Sequence, residues 1–327
     1  MSYDKKPLIT VFGATSKQGR SVTTTLLQSG RYRVRALTQN TDSPAAKQLA
    51  EQGAELRQIT LQTGNDAHLI GAFAESDGAF AESDGAFLMT PGFIPVSTQM
   101  PTGETALGYR LADAAVNAGV KHLVFSSLEN VERITAGTLW APHFSDKGRI
   151  EEYIRTLPVS ASFIQLAFFY TNLAEYYPPR KEGDELIFPL YLPEDVRAPF
   201  VDPLTATGPA VLEMFDNPEH YNGMTLPVVG ECLSPREMVE TFTEVTGIKA
   251  RYRSAYTREA LLHHFPDFAD NAALVSEITG MTEYAVNYGY YGKDRDLTWS
   301  RTINPATLTW REFLITSGWQ GEKRTFD

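Results

Sequence analysis

The run Leu8-Ile9-Thr10-Val11-Phe12-Gly13-Ala14-Thr15-Ser16-Lys17-Gln18-Gly19 carries the strongest local signal in this chain. A short β-rich apolar stretch meets a turn of small residues. A helical pattern follows, with Val22, Leu26 and Leu27 on one face and Gly30 as its stop. Strand, glycine turn and helix in that order aim unpaired backbone N–H groups and the positive end of a helix at one point. Glycine lets an anion come close to the backbone there, so the arrangement suits a pyrophosphate.

Outward from this unit the first half keeps alternating. Tyr32–Thr38 reads as a second strand. A helix with Ala45, Ala46, Leu49 and Ala50 follows and ends at Gly53. Ala54–Leu61 and Gly85–Thr90 read as strands three and four, and a helix is expected from about Glu104 to Ala118. Strand five is Lys121–Ser126, another helix covers about 145–156, and strand six lies near Ser162–Leu166. Regular βα alternation with right-handed crossovers predicts an α/β fold with a doubly wound parallel sheet. After about residue 170 prolines cluster (Pro178, Pro179, Pro189, Pro193, Pro199, Pro203) and the order becomes mixed. The expected division is a dinucleotide-binding domain over 1–170 and, over 171–327, mainly a smaller mixed α/β lobe with some segments returning to the core. Within that lobe Thr225–Val229 reads as a strand, and Ser234-Pro235-Arg236-Glu237 has capping-box spacing with proline at the first helical position.

The chain has 327 residues, 43% hydrophobic and 21% charged, as for an ordinary globular protein. No apolar run is long enough to span a bilayer, and no membrane association is expected. The N-terminus lacks the apolar core of a secretory signal, and Cys232 stands alone, so a reducing, cytoplasmic setting is expected. A net charge of −11 argues against direct contact with nucleic acid. His263 and His264 are adjacent, and no histidine has metal-ligand spacing, so no metal site is expected. A tandem heptapeptide, Ala74–Phe80 repeated as Ala81–Phe87, reads as a duplicated connection before strand four.

The glycine turn spells Gly13-x-x-Ser16-x-x-Gly19, with serine where a middle glycine often sits. The tip of the second strand, which in such folds meets the adenosine ribose, is Thr38-Gln39-Asn40. It has no acid to accept both ribose hydroxyls, as NAD sites favour. It has no arginine to clamp a 2′-phosphate either. Lys17, or less directly Arg35 or Lys47, could supply positive charge. On this balance NADP(H) is favoured as the dinucleotide, with NAD(H) as the alternative.

Longer blocks resemble the NmrA-like family, atypical members of the short-chain dehydrogenase/reductase superfamily. Gly13, Ala14, Thr15, Gln18 and Gly19 match that family's glycine turn, and Ser16 departs from it. Phe125–Val131 and Leu139–Gly148 are similar to the human redox-sensor member, and Trp140-Ala141-Pro142 also to the fungal nitrogen-regulator member. Phe168–Leu173 is similar to the segment that meets the nicotinamide, and Lys293–Asp296 and Asn304–Leu308 echo the C-terminal lobe. The resemblance implies a Rossmann fold that binds NADP(H), and for several members a redox-sensing, co-regulatory role through a protein partner, with nuclear shuttling compatible. It adds Thr90, Lys147, Phe169 and Asn172 to the cofactor-binding candidates Gly13, Thr15, Ser16, Lys17, Gln18, Gly19, Gln39 and Asn40.

Active short-chain dehydrogenases use Tyr-x-x-x-Lys on the helix after strand five, where the tyrosine moves the proton and the lysine lowers its pKa. Here that slot reads His143-Phe144-Ser145-Asp146-Lys147. The literal match, Tyr177 to Lys181, spans Pro178-Pro179 and cannot be helical. Two readings follow. In the first, Lys147 holds the nicotinamide ribose and the protein is a redox-sensing regulator without turnover. In the second, Lys147 or His143 acts as acid with Ser126 or Ser127 orienting a carbonyl, and the protein is an NAD(P)H-dependent oxidoreductase acting on a small carbonyl or quinone-like molecule. Phe168, Phe169, Tyr170, Tyr176 and Tyr177 are expected to roof the pocket, and Tyr284, Tyr288, Tyr290 and Tyr291 to pack the core or line a groove.

Overall fold

A computed structural model describes residues 6–59, 83–91, 103–292 and 295–326. The first copy of the heptapeptide, Leu61, Lys293 and Asp294 lie outside the described residues.

The opening run folds as strand β1 (Leu8–Phe12), every residue of it buried, followed by helix α1 (Lys17–Ser29). Next come β2 (Arg33–Thr38), α2 (Pro44–Glu51), β3 (Glu55–Gln58) and β4 (Gly85–Leu88). Helix α3 (Gly103–Asn117), β5 (His122–Ser127), α4 (Pro142–Ile154) and β6 (Ser160–Leu166) complete the first half. Gly30 and Gly53, read as stops, do close their helices, with φ of 67° and 104°, and Gly119 (φ 80°) follows the end of α3 in the same way. Helix α4 starts three residues earlier than the 145 expected. Pro142 at its first position is the local signal for that start, and it places His143 inside the first turn.

The second half contributes β7 (Phe168–Phe169), β8 (Arg180–Glu182), β9 (Glu185–Leu190) and β10 (Ala198–Val201). Then follow α5 (Pro203–Asp216), β11 (Thr225–Val228), β12 (Glu231–Leu233) and α6 (Pro235–Thr246). The last elements are β13 (Ala250–Ser254), α7 (Ala272–Tyr288) and α8 (Trp310–Ser317). At α6 both bonds of the capping box form, Ser234 Oγ accepting from Glu237 N and Glu237 Oε2 from Ser234 N.

The main sheet has the order β11-β6-β5-β4-β1-β2-β3, and all of its pairings are parallel. Its central strands β1, β4 and β5 are buried along their whole length because helices cover both faces. On one side Val22 and Leu26 of α1 pack with Val211 and Met214 of α5; on the other, Leu107 and Leu111 of α3 pack with Ile150 and Ile154 of α4. Two segments of the second half therefore enter the first: β11 pairs with β6, and α5 lies against α1, with Gly208 N donating to Ser21 Oγ at 2.9 Å. The remaining strands form two three-stranded sheets, β12-β10-β7 and β13-β9-β8. The strands stay parallel, but their sequential order across the main sheet reverses between β1 and β4. Crevices at the carboxyl ends of such strands are where open α/β sheets hold ligands.

Candidate functional site

Two cavities flank that switch point. The first, about 360 Å3, lies over the ends of β1 and β2 and is lined by Gly13, Thr15, Ser16, Thr38, Gln39, Asn40 and Ser43, among others. The second, about 300 Å3, is lined by Gln18, Thr90, Ser126, Ser127, His143, Lys147, Phe169 and Asn172 together with Phe168, Tyr176, Met281 and Tyr290. Met89 lines both cavities, so the two lie side by side with that side chain as a shared wall. The residues singled out in the sequence thus fall into two groups, one at each cavity. Lys17 and Gly19 line neither cavity; they sit in the first turn of α1.

The turn itself is built for close approach. Gly13 has φ +69°, and a Cβ there would meet Met89 Sδ at 2.6 Å. A Cβ on Gly19 would lie 2.1 Å from Gly13 O and 2.7 Å from Ala14 Cα, so only glycine lets α1 start this close to the strand end. Ser16 needs no positive φ: it is extended (φ −73°, ψ 167°) and caps α1, its hydroxyl accepting from Gly19 N at 3.1 Å. Its own proton points at nothing better than Met89 Sδ, 3.9 Å away. Gln18 Oε1 is buried without a hydrogen-bond partner at the wall of the second cavity. A helix with no acid in its own first turn, a notch without Cβ atoms and an orphaned amide oxygen together suit an elongated phosphate-bearing ligand.

The cations proposed for a 2′-phosphate are committed elsewhere. Lys17 Nζ pairs with Glu175 Oε2 at 2.8 Å, in a clasp where Glu175 Oε1 also accepts from Phe326 N at 3.0 Å. Arg35 is buried within the sheet against Glu55, and Lys47 pairs on the surface with Asp42. Asn40 Oδ1 accepts from Asp42 N at 2.9 Å, an Asx turn that leads into α2. Among the described residues the lining of the first cavity contains neither acid nor base.

The second cavity centres on Lys147. Its ammonium donates to Thr90 O at 2.7 Å, to Thr90 Oγ1 at 3.1 Å and to the carboxylate of Glu104, so all three protons are engaged. Glu104, at the start of α3, is fully buried, and burial raises its pKa against the opposing charge of Lys147. Ser127 Oγ lies 3.2 Å from Leu128 O and 3.4 Å from Lys147 O, linking β5 to α4. His143 has its pKa lowered to about 3, first by burial and then by Lys147, and is neutral at pH 7. Its backbone N–H donates to Glu277 Oε2 at 3.2 Å, so a carboxyl from α7 caps α4, whose own N-cap Ala141 supplies no side-chain bond.

Glu104, Glu277 and Met89 were not singled out in the sequence. Glu104 looks like an ordinary acid in a helix's first turn. Glu277 could have been noticed as one acid in the apolar run Ala272-Ala273-Leu274-Val275-Ser276-Glu277-Ile278. Its pKa is raised to about 8 by burial, reinforced by Glu104 and Asp146, and Oε1 has no partner. Between its ordinary value near 4.5 and about 8 the folded protein keeps a proton that the unfolded chain gives up, so stability falls as pH rises through that window. Glu277→Gln should therefore flatten the decline and stabilise the protein at pH 9 by on the order of 3 kcal/mol, with little effect at pH 4.5. Urea unfolding at both pH values checks this.

The fold defines an α/β protein with a Rossmann-like parallel sheet. The chain belongs to the NmrA-like family, which it matches over residues 5–314. It is 33% identical over 295 residues to an NmrA-like family domain-containing oxidoreductase, lnaB, of Aspergillus flavus, covering 86% of each chain. Two solved structures share the fold. One is Nmra, a negative transcriptional regulator in complex with NAD, with TM-score 0.74, 20% identity, and 95% of this chain and 94% of that one covered. The other is the Citrobacter sp. triphenylmethane reductase complexed with NADP(H), with TM-score 0.70, 18% identity, and 94% and 99% covered. Among the described residues no helix is long and apolar enough to cross a membrane.

Proposed function

We propose that this protein binds a nicotinamide dinucleotide along the groove and reduces a small, flat, largely apolar molecule held in the second cavity. The observation that carries the reading is that cavity: aromatic walls closed around Thr90, Ser126 and Lys147, and set beside the cavity of the glycine turn across Met89. The naming of the Aspergillus flavus relative as an oxidoreductase and of the Citrobacter structure as a reductase supports it. When bound, the dinucleotide would supply hydride. The chain's own residues would do the rest. The first turn of α1 and Ser16 would hold the pyrophosphate, Lys147 would meet the ribose by giving up one of its bonds to Thr90, and Phe169 and Asn172 would bound the nicotinamide end. Phe168 and Tyr290 would exclude water.

The described residues at the adenosine end carry no charge and give neither coenzyme an electrostatic advantage. NADP(H) and NAD(H) are expected to bind within about tenfold of each other, which calorimetry of both, with thermal unfolding as a second readout, measures directly. A difference of a hundredfold would show that a charge outside the lining selects between them.

One observation favours the redox-reporting regulator instead: the tyrosine position holds His143, and Lys147 is already saturated with acceptors. The negative transcriptional regulator among the structural neighbours is consistent with that role. Tight coenzyme binding with no oxidation of NADPH or NADH across small organic acceptors would decide for it.

A further inference from the structure

The second cavity is small for the work the reductase reading gives it. Its volume of about 300 Å3 stands at the lower end of the range for ligand sites, and the nicotinamide end of the coenzyme would share it. An acceptor larger than a single flat ring system must continue beyond it. Tyr176 marks the way out. Its side chain is 60% exposed and is a shared wall between this cavity and a larger neighbour of about 520 Å3.

The outer cavity is a built recess. The C-terminal segment lines it and is tied down, Trp319 Nε1 donating to Glu322 O at 2.7 Å and Arg324 N to Ala174 O at 3.2 Å. Gly321 (φ +95°) lets this segment lie against β9, since a Cβ there would stand 2.6 Å from Leu186 Cδ1. Phe265 and Phe268, stacked with centroids 5.2 Å apart, supply an apolar wall.

Three cations reach the same recess, Arg180 and Lys181 of β8 and Lys323, in a chain whose net charge is −11. Among the described residues none of the three has a carboxylate partner, whereas the next residue of β8, Glu182, is held by Arg251 and Arg253. Of the two acids in the lining, Glu322 already accepts from Gln320 N at 3.0 Å, and Asp267 is a single charge against three. The Arg180 guanidinium lies over the Phe265 ring, 5.3 Å from its centroid. A guanidinium laid on a ring face keeps its edge, a planar fork of N–H donors, for a carboxylate.

We infer that the outer cavity binds a carboxylate, the tail of an acceptor whose flat head is reduced in the second cavity, with Arg180 as the anchor; this rests on the reductase reading of the second cavity. The protein then sorts acceptors by what they carry far from the reacting atoms. An acidic chain raises affinity without altering the hydride step, so selection falls on KM rather than kcat.

Three naphthoquinones with one head and different tails test this: menadione, its 3-(5-carboxypentyl) derivative and the methyl ester of that acid. Calorimetry with NADP+ or NAD+ present, where no turnover occurs, should find the acid bound about tenfold more tightly than the ester. With NADPH or NADH the acid should show a correspondingly lower KM at a similar kcat. Arg180→Gln should bring acid and ester within about twofold of each other in both measurements. Arg311→Gln, at a surface arginine paired with Glu244, should leave the gap as it is. Acid bound no more tightly than ester, or a preference that survives Arg180→Gln, overturns the inference, and reduction of menadione in the same experiment leaves the reductase reading standing. Coenzyme binding with no reduction of any of the three overturns both.

Discussion

Lys147→Met should destabilise the protein by about 3 kcal/mol at pH 8, the range seen when one partner of a buried ion pair is removed. Glu104 is 0% exposed and would keep only the Thr90 hydroxyl as a donor, with Oε2 already unpartnered. A carboxylate stranded in that way takes up a proton, so its folded-state pKa rises further above the unfolded value. The penalty is then present above the unfolded pKa and shrinks as pH falls through the folded one. Urea unfolding at pH 8 and pH 5 should show the larger loss at pH 8. Adding Glu104→Leu should restore most of the stability, because replacing both partners with apolar groups removes the stranded charge. A loss below about 1 kcal/mol at both pH values would mean that the pair is solvated rather than buried.

Gly19→Ala should act on a different part of the groove. The new methyl would stand 2.1 Å from Gly13 O and 2.7 Å from Ala14 Cα, and both obstacles are backbone. Relief requires α1 to back away from the end of β1. Overpacking of this kind costs about 1–3 kcal/mol, and the upper end is expected here because no flexible side chain can yield. The displacement also moves Ser16 and the free N–H groups of the first turn. Thermal unfolding should therefore report both a lower midpoint and the loss of any upward shift with millimolar NADP or NAD. A variant that keeps the full coenzyme shift would place the pyrophosphate away from this turn.

Much of the scaffold was readable before any coordinates. Strand, turn and helix boundaries in the first half are set by local pattern, and glycines with positive φ end the helices where the pattern breaks. The candidate residues Gly13, Ser16, Gln39 and Asn40, and likewise Thr90, Ser126, His143 and Lys147, line two neighbouring cavities because strand ends carry most of them there and the first two turns of α4 carry His143 and Lys147. The partners were not readable. Glu104 meets Lys147 across 43 residues, and Glu277 meets His143 across 134. No periodicity records such pairings, since each acid is placed by the packing of a whole helix. The same applies to Lys17: its position in the turn suggested a free cation, whereas Glu175, brought in from the far side of β7, neutralises it.

The return of β11 and α5 to the main sheet has a bearing on how the molecule comes apart. A fragment severed near residue 170 would leave β6 as a bare flank, with Phe163 and Ile164 deprived of their neighbour, and would strip the cover from α1. The first half is thus not expected to fold as an autonomous module, and the two halves should melt in a single transition.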